Sequence, residues 1–161
     1  MNPVEIANPA IFLKTKFITQ RKGSGLPTSL TVVPNSSKGS NNAFHKVKEN
    51  ETIGYRRPLK KSDTRKLSSA TEEAKLSLIA AYNNISPKIY DIWYCNRSTK
   101  LQNKGLHMVM EYYPADLHDI IFHYEEFARE RKNEIALELD KCAITMSKIG
   151  MMSYDIKSSN I

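Results

Sequence analysis

The sequence predicts an α+β fold, in which a small antiparallel sheet with one helix is followed by a group of helices. Two observations support this class. Short stretches of branched, aromatic or alternating apolar residues occur before residue 112, and they bracket one stretch with helical periodicity. After residue 114 the apolar residues recur at helical spacing instead. The 161 residues suffice for one domain of ordinary size.

The first 50 residues are expected to be irregular and partly flexible. Residues 21–42 are rich in Gly, Ser, Asn and Pro, which predicts a loop, interrupted by a short apolar strand over Leu30–Val33. Before this loop, residues 10–19 have the apolar content and the partial alternation of a strand.

After residue 50 the predicted elements follow closely. Thr52–Tyr55 is predicted to be a short strand. Ser69 and Glu72 have the spacing of a capping box, which predicts a helix over residues 70–82. Its apolar face would consist of Ala74, Leu78, Ala81 and Tyr82.

The next two elements are predicted to be strands of one hairpin. Residues 88–94 are rich in branched and aromatic side chains, and residues 106–111 are mostly apolar. The polar stretch over residues 96–105 separates them, so we expect an antiparallel pair with a long loop.

Helices dominate the remainder of the chain. Asp116 is expected to cap a short helix over residues 117–122, and a charged stretch over residues 124–132 follows. Residues 133–149 predict a longer helix, with Gly150 as its C-terminal stop. The apolar residues at helical spacing are Ile135, Leu139, Cys142, Ala143, Met146 and Ile149.

The composition limits the possible binding partners and the cellular compartment. The net charge of +7 favours polyanions such as nucleic acid, acidic lipid headgroups or nucleotide phosphates. The basic run over residues 56–66 is either a solvated strand end or a nuclear-targeting or nucleic-acid patch. Two cysteines and four scattered histidines give no disulfide framework and no metal cluster, which indicates a reduced, intracellular compartment, cytoplasmic or nuclear. No signal peptide or membrane span is expected, so the protein is predicted to be soluble, with no membrane partner.

Two segments carry a family resemblance. Residues 153–160 read Ser-Tyr-Asp-Ile-Lys-Ser-Ser-Asn, and residues 106–113 read Leu-His-Met-Val-Met-Glu-Tyr-Tyr. Asp155, Lys157 and Asn160 have the spacing of a protein-kinase catalytic loop, and the other segment lies upstream in the matching order. From about residue 53 onwards, the chain therefore resembles the eukaryotic-type protein-kinase family, which implies two lobes with ATP bound between them.

The catalytic-loop resemblance implies a role for three side chains. Asp155 would orient the substrate hydroxyl and accept its proton, Lys157 would neutralise charge on the transferred phosphoryl group, and Asn160 would bind Mg²⁺. Ser153 and Tyr154 replace the His and Arg of the family pattern, which removes a brace of the loop and a receiver for an activation-loop phosphate. Such departures suggest a divergent lineage, as seen in kinases of large DNA viruses, in which case the protein would act in the host cell.

The upstream segment resembles the strand that leads into the hinge between the lobes. The resemblance implies that backbone groups of Glu111 and Tyr113 bond to the adenine edge, and that Met110 flanks the back of the pocket. Asp116 is compatible with two roles, binding of the ribose hydroxyls and capping of the following helix.

The resemblance also requires a strand cation that holds the nucleotide phosphates and pairs with a helix Glu. Arg56 is favoured for this role by its spacing from the helix, and Lys46 is the alternative. Glu73 is the expected partner, because Glu72 serves the predicted capping box. Residues 23–25 contain two glycines but do not form a recognisable glycine-rich phosphate loop.

Residues 51–113 would thus form a kinase-like N-lobe and hinge, and residues 114–161 the beginning of a C-lobe that ends at the catalytic loop. The expected function is that of a serine/threonine-protein kinase seen as a partial domain, which uses ATP and Mg²⁺ to phosphorylate a protein substrate. Because a second metal-binding Asp is missing from the chain, we expect weak or absent transfer and a partly uncovered apolar face on the long helix. The alternatives are a pseudokinase or kinase remnant that acts as a binding scaffold, and a basic nucleic-acid-binding module.

Overall fold

The computed structural model describes residues 19–22, 26, 28–33, 42–59, 61–97, 104–152 and 161. Within these residues the chain forms five strands, four α-helices and one 3-10 turn. The strands are β1 (Thr19–Lys22), β2 (Asn42–Lys46), β3 (Ile53–Pro58), β4 (Ile89–Arg97) and β5 (Gly105–Glu111). The helices are α1 (Leu67–Tyr82), α2 (Leu117–His123), α3 (Glu125–Glu130) and α4 (Lys132–Lys148), and the 3-10 turn (Asp63–Arg65) precedes α1. The chain divides into two compact units, residues 1–112 and residues 113–161.

The strands form one sheet in the order β1-β4-β5-β3-β2. The four strands β2 to β5 are joined by antiparallel pairs, whereas β1 joins the edge of β4 in parallel. The predicted hairpin of β4 and β5 is confirmed, with Trp93 opposite His107. The predicted α+β class with a small antiparallel sheet is confirmed as well.

Helix α1 covers one face of this sheet. Its residues Ala70, Ala74 and Leu78 are buried and belong to one apolar cluster. The strand residues of the cluster are Ile89, Ile92, Tyr94, Leu106 and Met108. Since alanine side chains are short, the helix backbone can approach the strands closely and leave few voids.

The opposite face carries a second apolar cluster. It consists of Val47, Ile53, Tyr55, Trp93 and Val109, with Leu26, Leu30, Val32 and Tyr90 packed against it. Successive residues of a strand point to opposite faces, so the central strands bury side chains on both sides. The strand predicted over residues 30–33 is reduced to a single bridge between Val32 and Val47.

The start of α1 differs from the prediction. The helix begins at Leu67 and its N-cap makes no side-chain capping bond, so the predicted capping box of Ser69 and Glu72 is wrong. A contact from the sheet positions the preceding turn instead, because the hydroxyl of Tyr94 donates to the carbonyl of Arg65 at 2.8 Å. The entry into α1 is therefore fixed by tertiary structure rather than by a local motif.

Three further differences concern local structure. Tyr82, expected on the apolar face of α1, is more than half exposed at the end of the helix. Strand β2 lies in the region that was expected to be irregular, and α3 lies in the charged stretch where no helix was predicted. Of the strand predicted over residues 10–19, residues 10–18 lie outside the described residues, and β1 begins at Thr19.

The described part of the second unit contains three helices. Asp116 caps α2 as predicted: its Oδ1 accepts a hydrogen bond from the backbone N–H of Asp119 at 2.8 Å. The predicted long helix is confirmed as α4, and Gly150 follows it with φ 69°. All residues of α2, α3 and α4 are described and none is buried. The apolar face of α4 is partly uncovered, as expected, because Ile135, Leu139, Cys142 and Met146 are only half-buried. None of the helices in the described part of the chain is long and apolar enough to cross a membrane.

Candidate functional site

The face of the sheet under α1 carries a patch where the apolar core meets charged side chains. On β3, Gly54 and Arg56 are two residues apart and therefore point to the same face. On β5, Met110 lies opposite Gly54 and Met108 lies opposite Arg56. Met108 belongs to the apolar cluster under α1, and Met110 packs against that cluster. Arg56 consequently lies at the border of the core.

Arg56 forms an ion pair with Glu73 of α1. Both Nη1 and Nη2 of Arg56 donate to Oε1 of Glu73 at 3.0 Å. The two side chains are 22% and 38% exposed, so the pair is partly accessible from outside. Nη1 also donates to the sulfur of Met108 at 3.6 Å. The pairing predicted between Arg56 and Glu73 is confirmed.

The sequence of α1 explains why Glu73 reaches the strand. Glu73 follows the buried Ala70 by three residues and precedes the buried Ala74. Residues three apart on a helix are neighbours on its surface, so packing of the alanines on the sheet brings Glu73 to the edge of the same contact. The carboxylate can then meet a cation that projects from β3.

Lys46, the alternative cation, has a different partner. Its Nζ lies 3.1 Å from Oε1 of Glu51, which is in the turn between β2 and β3. In the antiparallel register Lys46 is opposite Gly54, so its side chain leaves the sheet on the same face as Arg56. Lys46 thus adds a second positive charge to this face without taking the place of Arg56 beside Glu73.

Phe44 fills the space next to Gly54. A Cβ at Gly54 would overlap Cζ of Phe44 and lie 3.0 Å from both Cε1 and Cε2. The ring also stacks on Tyr112, with centroids 5.6 Å apart and planes inclined by 19°. Sequence reasoning missed Phe44. The sequence feature that could have indicated a close contact here was Gly54, because an isolated glycine inside a strand often marks the close approach of another group.

The residues expected to face an adenine edge lie at the end of β5 and just after it. The backbone N–H of Glu111 donates to the carbonyl of Lys88 at 2.8 Å. The backbone group of Glu111 that would bond to an adenine edge is therefore its carbonyl. The carboxylate of Glu111 accepts from the backbone N–H of Lys88 at 3.2 Å. Tyr113 is exposed, and it belongs to the second unit together with Asp116. The capping role of Asp116 is confirmed, and its ribose role stays a prediction.

The opposite face of the sheet carries a row of stacked rings. His107 stacks on Trp93 with centroids 5.5 Å apart and on Tyr55 at 5.9 Å. The hydroxyl of Tyr55 lies 2.7 Å from Nδ1 of His107, and burial raises the pKa of Tyr55 above its ordinary value. Next to Tyr55, Nε of Arg57 donates to Nε2 of His45 at 3.1 Å. The side chains of the adjacent residues Arg56 and Arg57 therefore lie on opposite faces of the sheet.

The predicted catalytic loop lies outside the described residues. This applies to Asp155 and Lys157, and also to Asn160, the predicted metal ligand. Among the residues that are described, no group of three or more His, Cys, Asp or Glu side chains could hold a metal ion. The structure thus describes the residues predicted to hold the phosphates, Arg56, Glu73 and Lys46, and both their role and the predicted transfer residues stay predictions.

Comparison of the chain with protein-family models, with curated proteins and with solved structures finds no match. Function is therefore inferred from the sheet face of the first unit and from the sequence resemblance. On that face the structure brings together Arg56, Glu73, Met108, Met110 and Phe44 around Gly54.

Proposed function

We propose that this chain is a protein-kinase-like domain that binds Mg-ATP and transfers the γ-phosphoryl group to serine or threonine hydroxyls of a protein substrate. The ion pair of Arg56 with Glu73 carries the proposal. It joins a strand cation to a carboxylate of the first helix, which is the pairing that protein kinases use to hold the nucleotide phosphates. The motif of residues 153–160 supplies the matching catalytic residues in the sequence.

The charged side chains of the sheet face fit a polyphosphate. The guanidinium of Arg56 is permanently charged and has five N–H donors, so it can bond to phosphate oxygens while Glu73 holds it in place. Lys46 contributes a second positive charge on the same face. The space beside Gly54 fits a planar base less well, because the ring of Phe44 occupies it.

The division of roles in this proposal is the one that the kinase resemblance implies. ATP and Mg²⁺, when bound, supply the phosphoryl group and the positive charge that stabilises its transfer. Arg56 holds the phosphates, and Glu73 fixes the orientation of Arg56. Asp155 orients the substrate hydroxyl and accepts its proton, Lys157 neutralises developing negative charge, and Asn160 holds the metal.

Two observations favour a second candidate, a nucleotide-binding or protein-binding scaffold without transfer. Arginine has a planar fork of donors, whereas lysine offers a compact point charge, so Arg56 imposes a different geometry on the phosphates. The ring of Phe44 also occupies the surface that a base would need. A nucleic-acid-binding module is less well supported, because Arg56 and Arg57 point to opposite faces and each has a side-chain partner.

Thermal melting with Mg-ATP tests the nucleotide site. A ligand at 100 times its dissociation constant stabilises the native state by about 2.7 kcal/mol, which is readily measured. We expect stabilisation of the wild type, its loss in Arg56→Met, and its retention in Arg57→Met. Arg57→Met is a matched control, because it removes the same charge from the neighbouring residue on the other face of β3. Absence of stabilisation in the wild type, or equal stabilisation of both variants, contradicts the proposal.

Phosphate transfer separates the enzyme from the scaffold. Weak transfer from radiolabelled ATP to a mixture of serine and threonine peptides is expected in the wild type, and no transfer is expected in Asp155→Asn. Both proteins should give the same melting shift with Mg-ATP, because the substitution removes the base and leaves Arg56 in place. Binding without any transfer in the wild type would favour the scaffold.

A further inference from the structure

We infer that Phe44 controls access of nucleotides to the sheet face, because its ring occupies the surface against which a planar base would stack. The inference rests on the proposed nucleotide function and adds a specificity-determining residue to the same site. Its predicted ligand class is that of the proposed function, a purine nucleotide with a polyphosphate chain, since two cations lie on the same face as the ring.

The position of Phe44 follows from the register of the strands. Phe44 on β2 is directly opposite Arg56 on β3, so both side chains leave the sheet on the same face. From there the ring reaches along β3 to Gly54, where its tip lies in the volume that a Cβ would take. A glycine at this position is what allows the ring to lie against the strand.

Tyr112 holds the ring in place. The two rings are stacked at 5.6 Å, a geometry that stabilises aromatic pairs beyond the burial of their area. The backbone N–H of Tyr112 donates to the carbonyl of Thr52 at 2.8 Å, which anchors Tyr112 to the start of β3. Phe44 is thus held at two points, against the backbone of Gly54 and against the ring of Tyr112.

A nucleotide that uses this surface has to displace the ring. Only the molecules in which the ring is displaced can bind the base. The apparent dissociation constant is therefore the intrinsic one divided by the fraction of such molecules, and it is larger than the intrinsic one. The Phe44 ring competes with the base and not with the phosphates, because Arg56 is held by Glu73 beside the ring. Removal of the ring should therefore tighten binding and leave the dependence on Arg56 unchanged.

Calorimetric titration with Mg-ATP and with Mg-ADP tests the inference in the full chain. We expect Phe44→Ala to bind about three- to tenfold more tightly than the wild type, which corresponds to the loss of one aromatic stack. Gly54→Ala should also tighten binding, because its methyl group expels the ring tip. Phe122→Ala is the matched control, since Phe122 is 65% exposed in α2 and lies outside the patch, and its affinity should equal that of the wild type.

The possible outcomes separate the inference from the proposed function. Tighter binding by both Phe44→Ala and Gly54→Ala supports both. Equal or weaker binding by Phe44→Ala, with measurable binding by the wild type, overturns the role of Phe44 and leaves the nucleotide site standing. A lack of binding by every variant overturns both. If Phe44→Ala does not give a cooperative melting transition, Phe44→Leu replaces it, because leucine retains apolar volume but cannot stack on Tyr112.

Discussion

The hydrogen bond between Tyr55 and His107 shows how single residues stabilise the sheet unit on the face away from Arg56. The two side chains come from strands β3 and β5, and both are buried. Buried polar atoms lose their bonds to water, so they are stable only when they satisfy one another. The stacked ring of Trp93 excludes water from one side of this pair.

We predict that the free energy of unfolding decreases as the pH rises above about 10, and that Tyr55 contributes to this decrease. Burial raises the pKa of Tyr55, so the folded chain retains the phenolic proton more strongly than the unfolded chain does. The resulting stabilisation is complete below the unfolded pKa of about 10 and is lost as the pH rises towards the folded pKa. Burial also raises the pKa of Tyr90 and Tyr94, which add to the same slope.

Urea denaturation at several pH values between about 8 and 11 measures this slope. Tyr55→Phe should show a shallower decrease than the wild type, because phenylalanine has no proton to lose. The exposed Tyr82 supplies the control, and Tyr82→Phe should retain the wild-type slope. Equal slopes in all three proteins would show that the Tyr55 proton is not linked to folding.

At the candidate site, the family resemblance predicted more than local motifs did. The pairing of a strand cation with a helix Glu follows from that resemblance, and spacing favoured Arg56. The choice of Glu73 rested on a capping box of Glu72 that the structure does not form. The overlap of Phe44 with the Gly54 position could not be predicted, because it depends on the register of β2 against β3. Register is a property of the pair of strands and is not determined by the sequence of either strand alone.

Among the secondary-structure elements, those with a high apolar content were predicted best. β4 and β5 were identified by their branched, aromatic and apolar residues, and α4 was identified by apolar residues at helical spacing. β2, with the sequence Asn-Ala-Phe-His-Lys, was missed because it is short and mostly polar, and pairing with β3 stabilises it. α3 was missed because its charged sequence has no apolar face, and none of its residues is buried.

The start of β5 depends on one glycine, and we predict a large cost for its replacement. Gly105 has φ 127°, and a Cβ there would lie 2.8 Å from Cγ of Pro58 and 2.9 Å from the carbonyl oxygen of Thr64. Gly105→Ala should lower the free energy of unfolding by about 3 kcal/mol or more, since backbone strain adds to overpacking. Equilibrium denaturation in urea measures the change.

Gly54→Ala is the matched comparison for this prediction. Its added methyl group meets the tip of the Phe44 ring, which can rotate away, rather than backbone atoms. We therefore expect a smaller cost, on the order of 1 kcal/mol. Equal costs for the two glycine variants would show that the fixed atoms around Gly105 do not determine its effect.

Over the part of the molecule that the structure describes, the buried apolar residues are concentrated in the first unit. Both apolar clusters lie there, one between α1 and the sheet and the other on the opposite face of the sheet. The second unit holds α2, α3 and α4, which contain no buried residue. Since burial of apolar surface is the main favourable term in folding, the two units should differ in stability.

We predict that this difference is visible as amide hydrogen exchange in the intact chain. Amides of β4, β5 and the buried turns of α1 should exchange most slowly, because they open only when the two apolar clusters are disrupted. Amides of α2, α3 and α4 should exchange faster, by local opening of helices that bury no residue. The measurement is exchange followed by mass spectrometry or NMR, with protection compared element by element. If α4 were as strongly protected as β5, its apolar side chains would have to be covered in solution, and burial within the first unit would not by itself determine the stability of the chain.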